Sequence, residues 1–595
     1  LDEDVALPLT ATFHGLCWTL IREEARGKAQ RIVDDEERLF MMQRVIHRLE
    51  RDGDALTIKA PALLQRIVDA KQRLRGPEDY FESVAPEAPA SQFARAYSAY
   101  QKLMADQSAL DFEDLIYRVV RRLENDDTFL EGCRRRFSHV FVDEYQDLNF
   151  GQYRLIRLLV PQDGNLCVIG DPDQAIYGFR GSDVAFFNRF VEDYPDARVV
   201  HLTRNYRSTD TILEAARQVI RRRPGALSGI GVLGSRLYSG MSGVPHLAVV
   251  ELPSEKAEAV AVGQTIEKAV GGAGFLSIDS GKVDGYAHHD YSFADFAVLY
   301  RTAQQADVFA DIFTQAGIPF QAASRRRYYE EPRVAAWLSL LRITCDTANS
   351  NDLNRIAAYL QPPLDKRTVM VLLDVMEHHR FSLSQALEHI DAGPFHTLST
   401  AKRRRLAQAL ADLQGHLAAL APLSLADRIR RLAGHWTAEG GDAARLEESR
   451  SRLEDHARRC QGESEQFFAR VALQSDADMV QPRVEKVTLS TMHAAKGLEF
   501  PVVFIAGCED GWIPLRRADG ASMDEDEERL LFYVSLTRAK EQLYLTWSRK
   551  RHLYGIREDR NLSPFVSDIE RRLLKHQSPQ LATNRKVQQV QLKLF

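Results

Sequence analysis

What most restricts this chain is a set of seven short runs rich in β-branched and aromatic residues, each passing into a polar or glycine-containing turn: HVFVDEYQD, NLCVIGDPDQ, ARVVHLTRNYRS, FADFAVLYR, EKVTLSTMHAAKGLEF, PVVFIAGCED and EQLYLTWSRK. Alternating with helical stretches, such runs are the sequence texture of parallel, doubly wound sheets, whose strands are covered by helices on both faces. The fold class expected is therefore α/β. Two regions break the alternation. Residues 15–110 are polar and helical, with Arg/Glu/Leu periodicity through RIVDDEERLFMMQRVIHRLERD and no strong strand signal. Between 351 and 481 the strand signal vanishes again under helical sequence rich in Leu, Ala and Arg, as expected of an insertion that splits the second α/β domain. Residues 225–290 are rich in Gly, Ser and Val and fit neither texture, and beyond Pro564 a basic tail (Arg571, Arg572, Lys575, Arg585, Lys586) runs to a closing QLKLF. There is no repeat of solenoid period.

With 595 residues, 45% of them hydrophobic and 27% charged, the chain can bury several cores, so three or four domains are expected. Lys and Arg number 78 against 83 Asp and Glu, a net charge of −5. Overall charge therefore gives no reason to bind nucleic acid, and any such surface must be a local groove. The six cysteines (Cys17, Cys133, Cys167, Cys345, Cys460, Cys508) form no C-x-x-C pair and no cluster with histidine, so neither a disulfide framework nor a zinc site is expected. A reducing, cytoplasmic setting fits. No apolar run of about eighteen residues and no signal-peptide layout occurs, which argues against membrane insertion and export.

The strongest local signal is Val140-Phe141-Val142-Asp143-Glu144-Tyr145-Gln146-Asp147, a strand that runs straight into polar residues. Ligand sites of open α/β sheets lie beyond the carboxyl ends of strands, where these carboxylates fall. Asp143 could hold a magnesium ion through its water shell, and Glu144 could orient and deprotonate a water attacking a γ-phosphate. Taken alone, the pair fits an acidic helix-capping turn as well. A second strand, Leu166-Cys167-Val168-Ile169, delivers Gly170-Asp171-Pro172-Asp173-Gln174 and then Tyr177, Phe179 and Arg180. The neutral amide of Gln174 donates and accepts, so it suits sensing a terminal phosphate. Rings beside a cation are what a single-strand binder uses, since rings stack on bases and Arg meets phosphate; two aromatics in a loop also fit a core. A third strand leads to Thr203-Arg204-Asn205-Tyr206-Arg207-Ser208, where the Arg207 guanidinium could clamp phosphate bidentately.

In order and wording, these segments resemble motifs II, III and IV of the UvrD/Rep/PcrA helicases of superfamily 1, and the likeness runs to the end of the chain. Thr12-Phe13-His14-Gly15-Leu16-Cys17 is similar to the family's T-F-H-S-L-C, with Gly15 for the usual Ser. Asp111-Phe112-Glu113-Asp114-Leu115 resembles its D-F-x-D-L stretch, Thr491 to Phe500 (TMHAAKGLEF) its motif V, and Glu527 to Ala539 (EERLLFYVSLTRA) its motif VI. The resemblance implies two RecA-like parallel-sheet motor domains, the first truncated, with two helical insertion subdomains. On the family's plan, residues 1–14 are a remnant of the first RecA-like domain (1A), 15–110 helical subdomain 1B, 111–208 domain 1A, 209–350 the first part of RecA-like domain 2A, 351–481 helical subdomain 2B, 482–565 the second part of 2A, and 566–595 a flexible basic tail. It also implies an ATP-dependent DNA helicase of 3′→5′ polarity acting in repair or replication on single-stranded and junction DNA, with ATP and Mg2+ as cofactors. Asp143 and Glu144 would bind magnesium and activate water, and Gln174 would couple the phosphate to the DNA site. Tyr206 would stack on adenine, Arg207 and Arg538 would reach the γ-phosphate, Glu499 would touch the ribose beside Gly497, and His14, Tyr177, Phe179, Arg180 and His493 would meet DNA. For the two histidines, a hydrogen-bonded loop position is the alternative.

The pattern breaks at one place. A motor of this kind needs G-x-x-x-x-G-K-[ST] to cradle the β- and γ-phosphates, and residues 1–595 contain none: Gly271-Gly272-Ala273-Gly274-Phe275 lacks the lysine and hydroxyl, and Ala495-Lys496-Gly497 lacks the loop. In the family that loop precedes T-F-H, so the chain is expected to begin inside the first motor domain, to bind ATP poorly as it stands, and to leave a sheet edge unpaired. The alternative is an ATPase-deficient, helicase-like DNA-binding adaptor. Finally, Gln591-Leu592-Lys593-Leu594-Phe595 resembles the peptide by which bacterial repair and replication proteins dock on the sliding clamp. Leu594 and Phe595 would be its apolar anchors, with Leu592 beside them and Gln591 as hydrogen-bonding group.

Overall fold

A strand covered on both faces has no solvent-facing position, and its sequence is apolar throughout. In the computed structural model this governs the largest sheet among the described residues. The structure describes residues 8–25, 30–51, 56–80, 89–222, 237–241, 246–271, 291–322, 329, 331–345, 350–379, 381–391, 393–435, 442–472, 484–516, 524–553 and 556–577. The chain divides into two units: Leu1–Arg136, Phe150–Leu159 and Arg326–Gln474 form one, and Phe137–Asn149, Val160–Arg325 and Ser475–Phe595 the other.

The second unit carries strands β1 (His139–Val142), β2 (Asn165–Val168), β3 (His246–Leu252), β4 (Phe296–Tyr300), β5 (Phe320–Ala322), β6 (Val487–Thr491), β7 (Phe500–Ile505), β8 (Ala539–Ser548) and β9 (Lys575–Gln577). β3 to β9 form one seven-stranded sheet in the order β9-β3-β8-β7-β4-β6-β5, parallel at every pairing. All five residues of β4 are buried. Because successive side chains point to opposite faces, Phe296, Val298 and Tyr300 join the core under helices Glu255–Val270 and Gln305–Ala316, whereas Ala297 and Leu299 join the core under Asp210–Arg221 and Glu525–Leu536. β1 and β2 make a separate parallel pair with Phe141 opposite Cys167. The α/β class with parallel sheets expected from the sequence is the class observed.

Two local expectations come out differently. The run ARVVHLT forms no ladder; only Arg204–Asn205 is a strand, paired with Tyr238–Ser239, and Val199, Val200 and Leu202 are 47%, 65% and 79% exposed. β-propensity records fit to a pleated, half-buried surface, and among the described residues no neighbouring strand offers that surface. In the unassigned stretch 225–290, in turn, lie β3 and the helix Glu255–Val270. Ser254 caps that helix by accepting from Ala257 N, and Gly271 closes it at φ +80°, the usual signals of a helix start and stop.

The first unit is helical where the strand signal fails: Phe13–Ala25, Asp35–Arg51, Ala60–Gln72 and Pro89–Asp106, and again Pro332–Thr344, Lys366–His379, Thr400–Leu420, Leu425–His435, Asp442–Arg459 and Ser464–Ala472. One core gathers Met41, Leu63, Ile67, Tyr97 and Tyr100; another gathers Trp337, Leu340, Leu413, Ile429 and Phe467. The D-F-x-D-L segment opens helix Phe112–Asn125 with a reciprocal cap: Asp111 Oδ1 accepts Asp114 N at 2.9 Å and Asp114 Oδ2 accepts Asp111 N at 3.2 Å. Both carboxylates are fully buried and share the ammonium of Lys71, at 2.6 and 2.9 Å. Among the described residues no helix is long and apolar enough to cross a membrane, and the six cysteines are free thiols.

Removing one member of a buried ion cluster strands the others in low dielectric. Lys71→Met, which keeps the bulk but not the charge, is expected to lower unfolding free energy by ~3–5 kcal/mol in urea titrations; a loss below ~1 kcal/mol, the worth of a surface pair, would contradict the buried cluster.

Candidate functional site

β1 hands the chain to Asp143 and Glu144, both exposed at its carboxyl end. The segments beyond β1 and β2 stay zipped together, since Ile169 N donates to Val142 O at 2.8 Å and Tyr145 N to Ile169 O at 3.0 Å. Between these anchors Glu144 takes φ +52°, a left-handed conformation that a glutamate keeps only when its surroundings impose it. Its N–H donates to Asp143 Oδ1 at 2.9 Å, and the next residue, the buried Tyr145, packs edge-on against Phe190 at 5.5 Å.

From Glu144 a relay of side chains leads to Arg538. Gln146 Nε2 donates to Glu144 Oε2, Asp171 N to Gln146 Oε1 at 3.0 Å, and Gln174 Nε2 to Asp171 Oδ2 at 2.8 Å. Gln174 Oε1 then faces Arg538 Nη2 at 3.5 Å. Arg538 is 1% exposed and is held through Val534 O at 2.9 Å and Leu498 O at 3.2 Å. Burial, and after it repulsion from Arg207, brings its pKa down to about 10. It is still a cation at neutral pH, and it has no carboxylate partner among the described residues. Such a group favours an anion in reach.

Arg207 is differently engaged: its Nε donates to Glu499 Oε2 at 2.6 Å, while Lys540 Nζ lies 2.9 Å from Glu499 Oε1. Lys540 and Arg207 hold the Glu499 carboxyl below the usual range. This pairing occupies Arg207 Nε and both Glu499 oxygens. Gly497, exposed in the turn before Glu499, has φ +85°, which a glycine adopts without strain. Tyr206 is 69% exposed, with the Arg204 guanidinium 5.0 Å from its ring centre.

Lys496 is the residue that sequence reading passed over. Its buried Nζ donates to Asp147 Oδ2 and, at 2.7 Å, to Gln174 O. It lies 3.4 Å from Glu144 Oε2 and 5.3 Å from the Tyr177 ring centre. Burial pushes Asp147 up to about 6 even though Lys496 opposes the shift. Gln146 and Asp171, which hold Glu144 and Gln174 in place, were missed as well. The signal for Lys496 was an A-K-G turn after β6, legible only as an incomplete phosphate loop.

The aromatic loop is adjacent. Tyr177 OH donates to His493 O at 3.4 Å, exposed Phe179 meets the His493 ring edge-on at 5.3 Å, and Arg180 lies 5.0 and 5.5 Å from the Tyr177 and Phe179 ring centres. Burial, then Arg301 and Arg180, lowers the His493 pKa to about 3, so its imidazole is neutral. His14 belongs to the other unit, edge-on to Phe112 at 5.8 Å, and burial lowers its pKa to about 4. Gln591, Leu592, Leu594 and Phe595 lie outside the described residues.

A groove of about 1370 Å³ is bordered by Asp143, Glu144, Asp171, Gln174, Tyr533 and Thr537, ample room for a nucleotide. Among the described residues no cluster of three or more His, Cys, Asp or Glu could hold a metal ion. Asp143 is a single exposed carboxylate at the edge of this groove.

Residues 3–195 match the UvrD/REP helicase N-terminal domain, and residues 200–550 the UvrD-like helicase C-terminal domain. The chain is 30% identical over 600 residues to the ATP-dependent DNA helicase PcrA of Staphylococcus epidermidis, covering 96% of this chain and 77% of that protein. It is likewise 30% identical over 594 residues to the ATP-dependent DNA helicase PcrA of Staphylococcus aureus, covering 96% of this chain and 76% of that protein.

The neutral His493 carries a pH signature. In the unfolded chain its imidazole protonates near 6.5, in the folded chain only near 3, so its contribution is intact above 6.5 and drains away as pH falls toward 3. Between pH 6.5 and 5 the wild type should lose roughly 2 kcal/mol more than His493→Asn, read from urea midpoints; equal losses would show that this imidazole is not held neutral.

Proposed function

The chain belongs to the UvrD/REP helicase family, and on that premise we propose that it forms the greater part of an ATP-driven translocase that moves 3′→5′ along single-stranded DNA and opens duplex at junctions during repair or replication. The observation that carries this reading is the double engagement of Gln174. Its side chain faces Arg538 at 3.5 Å, while its backbone carbonyl accepts from Lys496, whose ammonium lies over Tyr177. On this reading the group that senses phosphate, Gln174, and the ring that meets a base, Tyr177, are joined through one lysine.

Phosphoryl transfer asks the protein for positioning and charge neutralisation more than for covalent chemistry. In the proposed reaction Glu144, held by Gln146, orients the attacking water and takes its proton. Arg538 and, once Glu499 releases it, Arg207 neutralise charge on the γ-phosphoryl oxygens. Tyr206 stacks on the adenine, and Glu499 is then free for the ribose. Magnesium, bound through Asp143, would screen the phosphates. Since Arg538 stands at the head of β8 and Glu144 at the end of β1, turnover depends on how the two sheets approach, and closure of such clefts commonly drives movement. Tyr177, Phe179, Arg180 and His493 are the DNA-facing residues proposed for this unit, and His14 the one proposed for the other.

A second reading rests on the closing Gln591-Leu592-Lys593-Leu594-Phe595, whose likeness to a clamp-docking peptide suits a tethered DNA-binding protein. On that reading the chain is a DNA-binding adaptor tethered to the sliding clamp by Gln591, Leu592, Leu594 and Phe595. Both readings require single-strand binding, and Phe179→Ala should weaken it by about 1–3 kcal/mol in fluorescence anisotropy with a labelled oligothymidine. They part at turnover. In a form that carries a phosphate loop beside these residues, DNA-stimulated phosphate release is expected and Glu144→Gln should abolish it while nucleotide stays bound; wild-type turnover in that variant removes the assigned base, and absence of any turnover leaves the adaptor. Capture by immobilised sliding clamp should fall with Leu594→Ala/Phe595→Ala, and undiminished capture removes the tether.

A further inference from the structure

An exposed ring stacks well on a base only if the backbone beneath it is held, because each degree of freedom frozen on binding weakens the complex. The ring in question is Phe179, in a single 3-10 turn, Gly178–Arg180, whose leading residue Tyr177 gives no side-chain cap. The first N–H groups of any helical turn lack partners within it. Here helix Glu525–Leu536 brings a carboxylate to them: the half-buried Glu527 lies against the backbone of Gly178 and Phe179, whose N–H groups favour its anion. The approach is close, for a Cβ on residue 178 would sit 3.2 Å from Glu527 Oε1. The neighbouring Glu528 is otherwise occupied, by Arg301 at 2.6 Å and Leu515 N at 3.0 Å.

The same helix ends one residue before the pair Thr537-Arg538, and the Arg538 guanidinium faces Gln174. One twelve-residue helix therefore meets the aromatic loop at its first turn and leads, two residues past its end, into Arg538. We infer that Glu527 is a positioning residue that clamps the base-stacking loop to the helix bearing Arg538, so that single-strand affinity depends on a carboxylate that itself touches no DNA. This rests on the DNA-binding reading above. Burial raises the Glu527 carboxyl above its ordinary range, with Asp524 and Glu528 adding to the effect. Holding an anion there has a cost, and the N–H groups of Gly178 and Phe179 oppose it.

Charge and clamp make opposite forecasts. If Glu527 acted only as a negative charge near DNA, removing it would tighten binding. A clamp predicts that Glu527→Ala binds a labelled oligothymidine about tenfold more weakly, while Glu527→Gln, neutral but still offering an amide oxygen to the two N–H groups, binds at least as tightly as wild type. Because no phosphate contact is removed, the slope of log affinity against log salt should be the same in wild type and in Glu527→Ala. The proposal is overturned if Glu527→Ala binds as well as wild type while Phe179→Ala binds more weakly, if Glu527→Gln falls as far as Glu527→Ala, or if the salt slope changes with Glu527→Ala. An unaffected Phe179→Ala would instead strike down the DNA-binding loop itself.

Discussion

A buried ammonium must be surrounded by oxygen, and the arrangement of this site follows from how Lys496 meets that demand. Its Nζ takes Asp147, the Gln174 carbonyl and the vicinity of Glu144, three groups from the segments that follow β1 and β2. Each of them is thereby tied to the turn after β6. Were the lysine absent, Asp147 would be a carboxylate in a desolvated place with nothing to oppose its protonation, and the two sheets would lose their best-defined polar link. The positive φ of Glu144 and the relay through Gln146, Asp171 and Gln174 lie in these same segments.

The two sheets also present different ends to the site. Asp143, Glu144 and Gln174 follow the carboxyl ends of β1 and β2, as the rule for ligands of open α/β sheets anticipates. Glu499 and Arg538 instead precede β7 and β8, at the amino ends of their strands. No general rule of sheet geometry would have selected those two positions; the resemblance of motifs V and VI did.

Legibility in the sequence follows the same division. Strands buried on both faces, β4, β6 and β7, are unmistakable because burial forces an apolar run, and Asp143 to Gln174 are legible because chemistry at strand ends concentrates in a few adjacent residues. Val199 to Leu202 mislead because a strand needs a neighbour, which no single run of residues announces. β3 was hidden by the glycine- and serine-rich sequence around it, although its helix carries an ordinary Ser254 cap and Gly271 stop. Lys496 and Glu527 were invisible for another reason. Their meaning lies wholly in partners that the fold brings from more than three hundred positions away, and nothing nearby in the chain hints at them.

The pairing of Arg207 with Glu499, and of Glu499 with Lys540, has an implication for selectivity. At rest one carboxylate serves two cations, so an anion reaching this pair would exchange with it, replacing the Glu499 carboxylate with its own negative oxygens. An uncharged nucleoside would have nothing to trade, and a monoanion would trade at par. Only a polyanion would leave the two cations better compensated than it found them, so discrimination by valence would precede any recognition of the base.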